Sequence, residues 1–131
     1  MVFHCAPSSS AHVDMVVADN ATFGDALQFD PPVSGVTGPA WTFTGQEFRL
    51  DLKANAESAT LLSLLSTAGQ IVVDDVTLRI LHFNVPYTVI SAALIPGEYI
   101  YDFIMYDASA PPVRVALAHG AFIVTDGVTG A

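Results

Sequence analysis

Positive charge is scarce in this 131-residue chain. Arg49, Lys53, Arg79 and Arg114 are its four basic residues, scattered singly against thirteen acids, and the formal net charge is -9. A surface that tracks phosphates needs clustered Lys and Arg, so direct nucleic-acid binding is not expected. Cysteine is nearly absent. Cys5 stands alone, which excludes an internal disulfide and leaves only a bridge to another chain. Long apolar runs are missing too. Asp, Gly or Pro interrupts each one before the roughly eighteen residues of a membrane helix. The opening MVFHCAPSSSAH has neither a basic start nor a long apolar stretch, so a cleaved leader is not expected. Acid in excess keeps a chain soluble and off DNA, and it also matches a basic partner.

What is present is apolar surface. Hydrophobic residues make up 52% of the chain, and the mean hydropathy is +0.50. A chain of this length holds one ordinary domain. An apolar content this high in a small domain points to protein contacts or to a well-filled core beneath small uncharged surface residues.

The punctuation is that of short strands. QEFRLDLKA gives the cleanest alternation, with Phe48, Leu50 and Leu52 on one face and Arg49, Asp51 and Lys53 on the other. PGEYIYDFIMYD opens on a Pro96-Gly97 turn. Tyr99, Tyr101, Phe103 and Met105 then share one face, and Glu98, Ile100, Asp102, Ile104 and Tyr106 the other. HVDMVVAD reads as a strand, and ATFGDALQFD offers Phe23, Leu27 and Phe29 for burial, with Gly24 marking a bulge or close approach. DPPVSGVTGPA, residues 30–40, is a loop. The stretch 56–65 fits a helix, with Leu61, Leu62, Leu64 and Leu65 in a stripe, or a strand ending in a hairpin at Thr67-Ala68-Gly69. IVVDD and VTLRILHF read as strands, the latter with Leu78 and Ile80 inward. VISAALIPG reads as one helical turn, residues 107–112 as a hairpin connection, and VRVALAHGAFIV as a closing strand. About seven short strands without long amphipathic helices describe an all-β sandwich. Pro7 and Ser8 to Ser10 make residues 1–11 a flexible N-terminal arm, with the domain at 12–126 and a tail at 127–131.

No catalytic constellation emerges. His4, His12, His82 and His119 are the candidate bases. His82 alternates with Val76, Leu78 and Ile80, and His119 with Val113, Val115, Leu117 and Ala121, which reads as core or edge placement. A nucleophile elbow is absent. Asp74 and Asp75 share a site only within a turn, and the long loop supplies just Asp30 and Ser34 as metal-type oxygens. Trp41 is a single aromatic for stacking on a sugar. No metal, cofactor or enzymatic activity is expected.

The order of several segments carries a resemblance. Gly24-Asp25 precedes an early strand, and Thr42-Phe43-Thr44-Gly45 precedes the alternating Glu47 to Lys53. Gln70 to Phe83 occupies the place of a central hairpin. AALIPGEYIYDF, Ala92 to Phe103, is the nearest match, and Gly120 to Val124 with Asp126 to Thr129 closes the pattern. Over Ala18 to Thr129 the chain resembles a family of small phage and prophage proteins with an immunoglobulin-like domain, related to the N-terminal domain of the upper baseplate protein of lactococcal siphophages. It departs from that pattern at residues 107–112 and at Ala118-His119, where the outward face becomes more apolar. The resemblance implies an immunoglobulin-like β-sandwich in a virion. Such a subunit is structural or accessory, made in the host cytoplasm, and docks on a head or tail assembly through other virion proteins and copies of itself, without nucleic acid or membrane. A receptor- or glycan-binding domain exposed on the virion is the alternative. Ile100, Ile104 and Tyr106, with Val2 and Phe3 of the arm, are the candidate protein contacts.

Overall fold

A computed structural model describes residues 2–5, 11–29, 45–106 and 114–127. Loop 30–40, Trp41 and the 107–112 connection lie outside the described residues. Among those described, the chain forms ten strands, one α-helix and one 3-10 turn. The strands are β1 (Val2–Cys5), β2 (Ala11–His12), β3 (Met15–Ala18), β4 (Ala26–Phe29), β5 (Glu47–Lys53), β6 (Thr60–Leu65), β7 (Ile71–Asp75), β8 (Ile80–Phe83), β9 (Gly97–Tyr106) and β10 (Arg114–Thr125). The 3-10 turn is Ser66–Ala68, and α1 is Tyr87–Ala93. The larger sheet runs β2-β10-β9-β5-β6, with β3 also on β10, and the smaller runs β1-β4-β8-β7. Together they make a mostly β domain of mixed and antiparallel sheets that form an open, curled half-barrel.

The centre of the large sheet follows its alternation. Phe48, Leu50 and Leu52 of β5 and Tyr99, Tyr101, Phe103 and Met105 of β9 are all buried. They meet the small sheet in one core. The ring of Phe103 lies 5.6 Å from Phe83, 6.1 Å from Phe48 and 6.4 Å from Phe29. Phe23 stacks on Phe83 at 4.8 Å and meets Phe122 edge-on at 5.1 Å. Phe23, Leu27 and Phe29 are thus buried as the sequence reads them. A Cβ at Gly24 would find only ordinary contact, 3.7 Å from the Phe83 carbonyl, so no close approach requires that glycine.

Three expectations change. The 56–65 segment carries the strand β6, and Ser66–Ala68 with left-handed Gly69 is no hairpin. It carries the chain from the large sheet to the small one, since β6 pairs only with β5 and β7 only with β8 among the described residues. Leu65 remains tied to the corner, its N–H donating to Gln70 Oε1 and its carbonyl accepting from the Gln70 N–H.

The second change is in VTLRILHF. Residues 76–79 form a turn rather than strand. Asp75 Oδ1 accepts from the N–H groups of Thr77 and Leu78, both at 2.9 Å, a carboxylate-stabilised turn. Arg79 takes a φ of 55° and is held there by Phe29, whose N–H donates to the Arg79 carbonyl and whose carbonyl accepts from Arg79 Nε. The strand β8 itself begins only at Ile80. Leu81 and Phe83 are buried, while Leu78 and Ile80, both expected inward, are exposed and half-buried on the opposite side.

The third lies in β10. A bulge between Ala116 and Ala118 inserts Leu117 against β9. Leu117 and Ala118 are both buried, and His119, which simple alternation puts with Leu117, turns outward.

At the N-terminus, Val2–Cys5, read from the sequence as arm, lies parallel to β4 as β1. The HVDMVVAD stretch divides into β2 and β3, both parallel to β10, and breaks at Val13-Asp14. The single helical turn read in VISAALIPG is a seven-residue helix after Pro86. It turns Ile90 and then Leu94 into the core.

Candidate functional site

The outer face of the large sheet is assembled by register. β9 stands at its centre and presents Glu98, Ile100, Asp102, Ile104 and Tyr106 outward. Opposite Asp102 lie Asp51 of β5 and His119 of β10, and beyond those Ser63 of β6 and His12 of β2. One polar row thus crosses the sheet as Ser63, Asp51, Asp102, His119 and His12. The rows on either side are more apolar. Ile104 sits between Arg49 and Ala116, and Ile100 between Lys53 and Ala121.

Local hydrogen bonds fix one end of this row. Arg49 Nε donates to Asp51 Oδ1 at 2.8 Å, Ser63 Oγ donates to the same oxygen at 2.6 Å, and an Arg49 terminal nitrogen reaches Ser63 Oγ at 3.3 Å. The Asp51 bond and charge hold the Arg49 guanidinium above its ordinary pKa. At the other end, the His12 ring meets His119 edge-to-face at 5.3 Å, and His12 Nε2 lies 3.1 Å from Asp14 Oδ1. Asp14 Oδ1 also accepts the Ala121 N–H at 3.0 Å.

Of the candidate contacts, Ile100 is 38% exposed, while Ile104 and Tyr106 are half-buried on the same face. The structure thus brings these three together. Val2 and Phe3 belong to β1 on the small sheet, away from β9 in the strand order; their side chains lie outside the described residues. The segment 84–95 does not fold over the outer face, because it sends Ile90 and Leu94 into the core and Asp102 stays exposed. The Arg49–Asp51–Ser63 network was not read from the sequence. Arg49 and Asp51 sharing a face was visible, but Ser63 joins them only through the β5–β6 register.

Of the candidate bases, only His12 and His119 are shown to meet, and no nucleophile is shown beside them. His82 faces outward on the small sheet with Nδ1 2.8 Å from Asp74, while Asp75 holds its turn, so the adjacent acids serve different partners. His12 and His119 lie on the other sheet. The Ser63 hydroxyl is bound to a carboxylate and a guanidinium rather than to an imidazole. Among the described residues no group of three or more His, Cys, Asp or Glu side chains is placed to hold a metal ion. No described helix is long and apolar enough to cross a membrane. The face is a broad, partly apolar sheet surface with carboxylates at its centre.

No family model matches the chain. No curated protein matches it either. Among solved structures, the chain is similar to the N-terminal domain of phage TP901-1 ORF48, with a TM-score of 0.52 and 13% identity, covering 95% of this chain and 97% of that one. At that identity the likeness establishes a shared fold.

Proposed function

We propose that the chain is a structural or accessory subunit of a bacteriophage particle, an immunoglobulin-like sandwich that docks on a larger head or tail assembly through protein contacts. The observation that carries this reading is the fold it shares with a phage protein domain along nearly the full length of both chains. The order of segments from Gly24-Asp25 to the closing strand supports it from the sequence alone. So does the exposed, partly apolar outer face. The mechanism is attachment, in which β9 and its neighbours present a rigid surface, and residues 1–11 act as an arm whose β1 rests on the edge of the small sheet. The contacts are Ile100, Ile104 and Tyr106 with Val2 and Phe3, and the partners are other virion proteins and further copies of the chain. Location in the virion follows from the same reading.

Antibody raised against the purified chain, applied with gold label to particles from the source culture, tests this. Label at one regular position on intact particles is the expected result. Particles that carry no label, with the chain left in the soluble fraction, would refute the virion reading.

A further inference from the structure

We propose that the centre of the outer face, around Ile100, Asp102 and Ile104, receives a protein partner that presents one Arg or Lys between aliphatic side chains. The proposal rests on the docking reading above and adds the chemistry of the partner. Asp51 and Asp102 stand directly opposite each other between β5 and β9, and like charges so placed destabilise a sheet. Asp51 is already answered by Arg49 and Ser63. The Asp102 carboxylate has no hydrogen bond or ion pair among the described residues, and it is exposed. The cations nearest by register do not reach it. Arg49 is committed to Asp51, and Lys53, opposite Ile100, forms no ion pair within the described residues.

The surroundings of Asp102 shape what fits. Ile100 and Ile104 flank it two residues away on the same face, and their β10 partners are the small Ala121 and Ala116. The carboxylate thus sits between two isoleucines backed by small β10 side chains, with the His119 ring outward beside it on the β10 side. An incoming cation would neutralise Asp102 and remove its repulsion from Asp51. Aliphatic neighbours of that cation would cover Ile100 and Ile104 and exclude water, which strengthens the charge pair. A second copy of this chain is a poorer match, since both copies carry a net charge of -9.

The probe is an acetylated, amidated peptide of alternating valine and arginine, titrated to millimolar concentration into the 15N-labelled full chain at low salt. The same peptide with glutamate for arginine is the control. The expected result is amide shifts confined to Ile100, Asp102, Ile104, Ala116 and Ala121 with the arginine peptide alone, and about tenfold weaker binding by Asp102→Asn. The Asn variant should keep the wild-type spectrum elsewhere. No response, equal response to both peptides, shifts on another surface, or an unchanged affinity for Asp102→Asn would each overturn the proposal. Self-association in sedimentation that Asp102→Asn abolishes would also overturn it, in favour of a second copy. Gold label on particles alongside any of these failures would leave the virion reading standing and remove only the basic partner.

Discussion

The Tyr101 hydroxyl donates a hydrogen bond to the main-chain carbonyl of Val13, a residue 88 positions away in the chain. That carbonyl lies at the break between β2 and β3, where the Val13 N–H donates to the His119 carbonyl and Asp14 reaches the Ala121 N–H. Tyr101 therefore anchors the N-terminal strands to the centre of the large sheet. Tyr101→Phe keeps the ring and leaves a buried acceptor without its donor, so it should cost about 1 kcal/mol. Tyr101→Ala should cost about 3 kcal/mol or more, because a cavity is added. Denaturant unfolding measures both, and a Phe variant with the wild-type midpoint would show the bond to be dispensable.

Gly120 meets the same carbonyl from the other side. A Cβ there would sit 2.4 Å from the Val13 oxygen, and the residue has a φ of +156°. Gly120→Ala should destabilise by roughly 2 kcal/mol or more through overpacking against backbone. It should also loosen β2 and β3 from β10, seen as faster amide exchange at Val13 and Met15. Wild-type exchange at both would contradict this account of the break.

Phe103 is fully buried and touches rings from both sheets. Phe103→Ala should cost roughly 3–5 kcal/mol and lower the cooperativity of unfolding. A loss below that of Tyr101→Phe would mean that the two sheets do not depend on this cluster.

Burial pushes the Asp25 carboxyl above its ordinary value of 3.8. With the folded value raised, the folded state holds this proton more tightly than the unfolded state. Ionisation therefore costs stability as pH rises through the window from 3.8 to the folded value, and the cost persists at neutral pH. Asp25→Asn should raise the melting temperature at neutral pH, and the gain should vanish in acid below the window. A gain that is equal at both ends would assign the effect to packing instead.

Ile104 faces outward beside Asp102. Ile104→Lys should leave the isolated domain folded and abolish its loading onto particles. Unfolding would make the residue part of the core, and normal loading would remove this face from the docking surface.

Much of the large sheet was legible because β5 and β9 alternate without interruption, and a period of two fixes which side chains share a face. Apolar excess, scarce base and the order of Gly24-Asp25, Gly45 and Pro96-Gly97 were likewise in the sequence, and with them the outward set Ile100, Asp102, Ile104 and Tyr106. Tertiary structure decided the rest. His119 left the face that alternation gave it because one inserted residue at Leu117 shifts the phase of β10, and Leu78 left its strand because a carboxylate holds a turn after Asp75. The parallel pairing of β2 and β3 with β10, the crossing of the chain between sheets after β6, and the meeting of Asp51 with Asp102 depend on contacts between distant segments. A local pattern specifies which side of a strand is apolar. Only the packing of one strand against another determines its neighbour, its register and where a bulge must form.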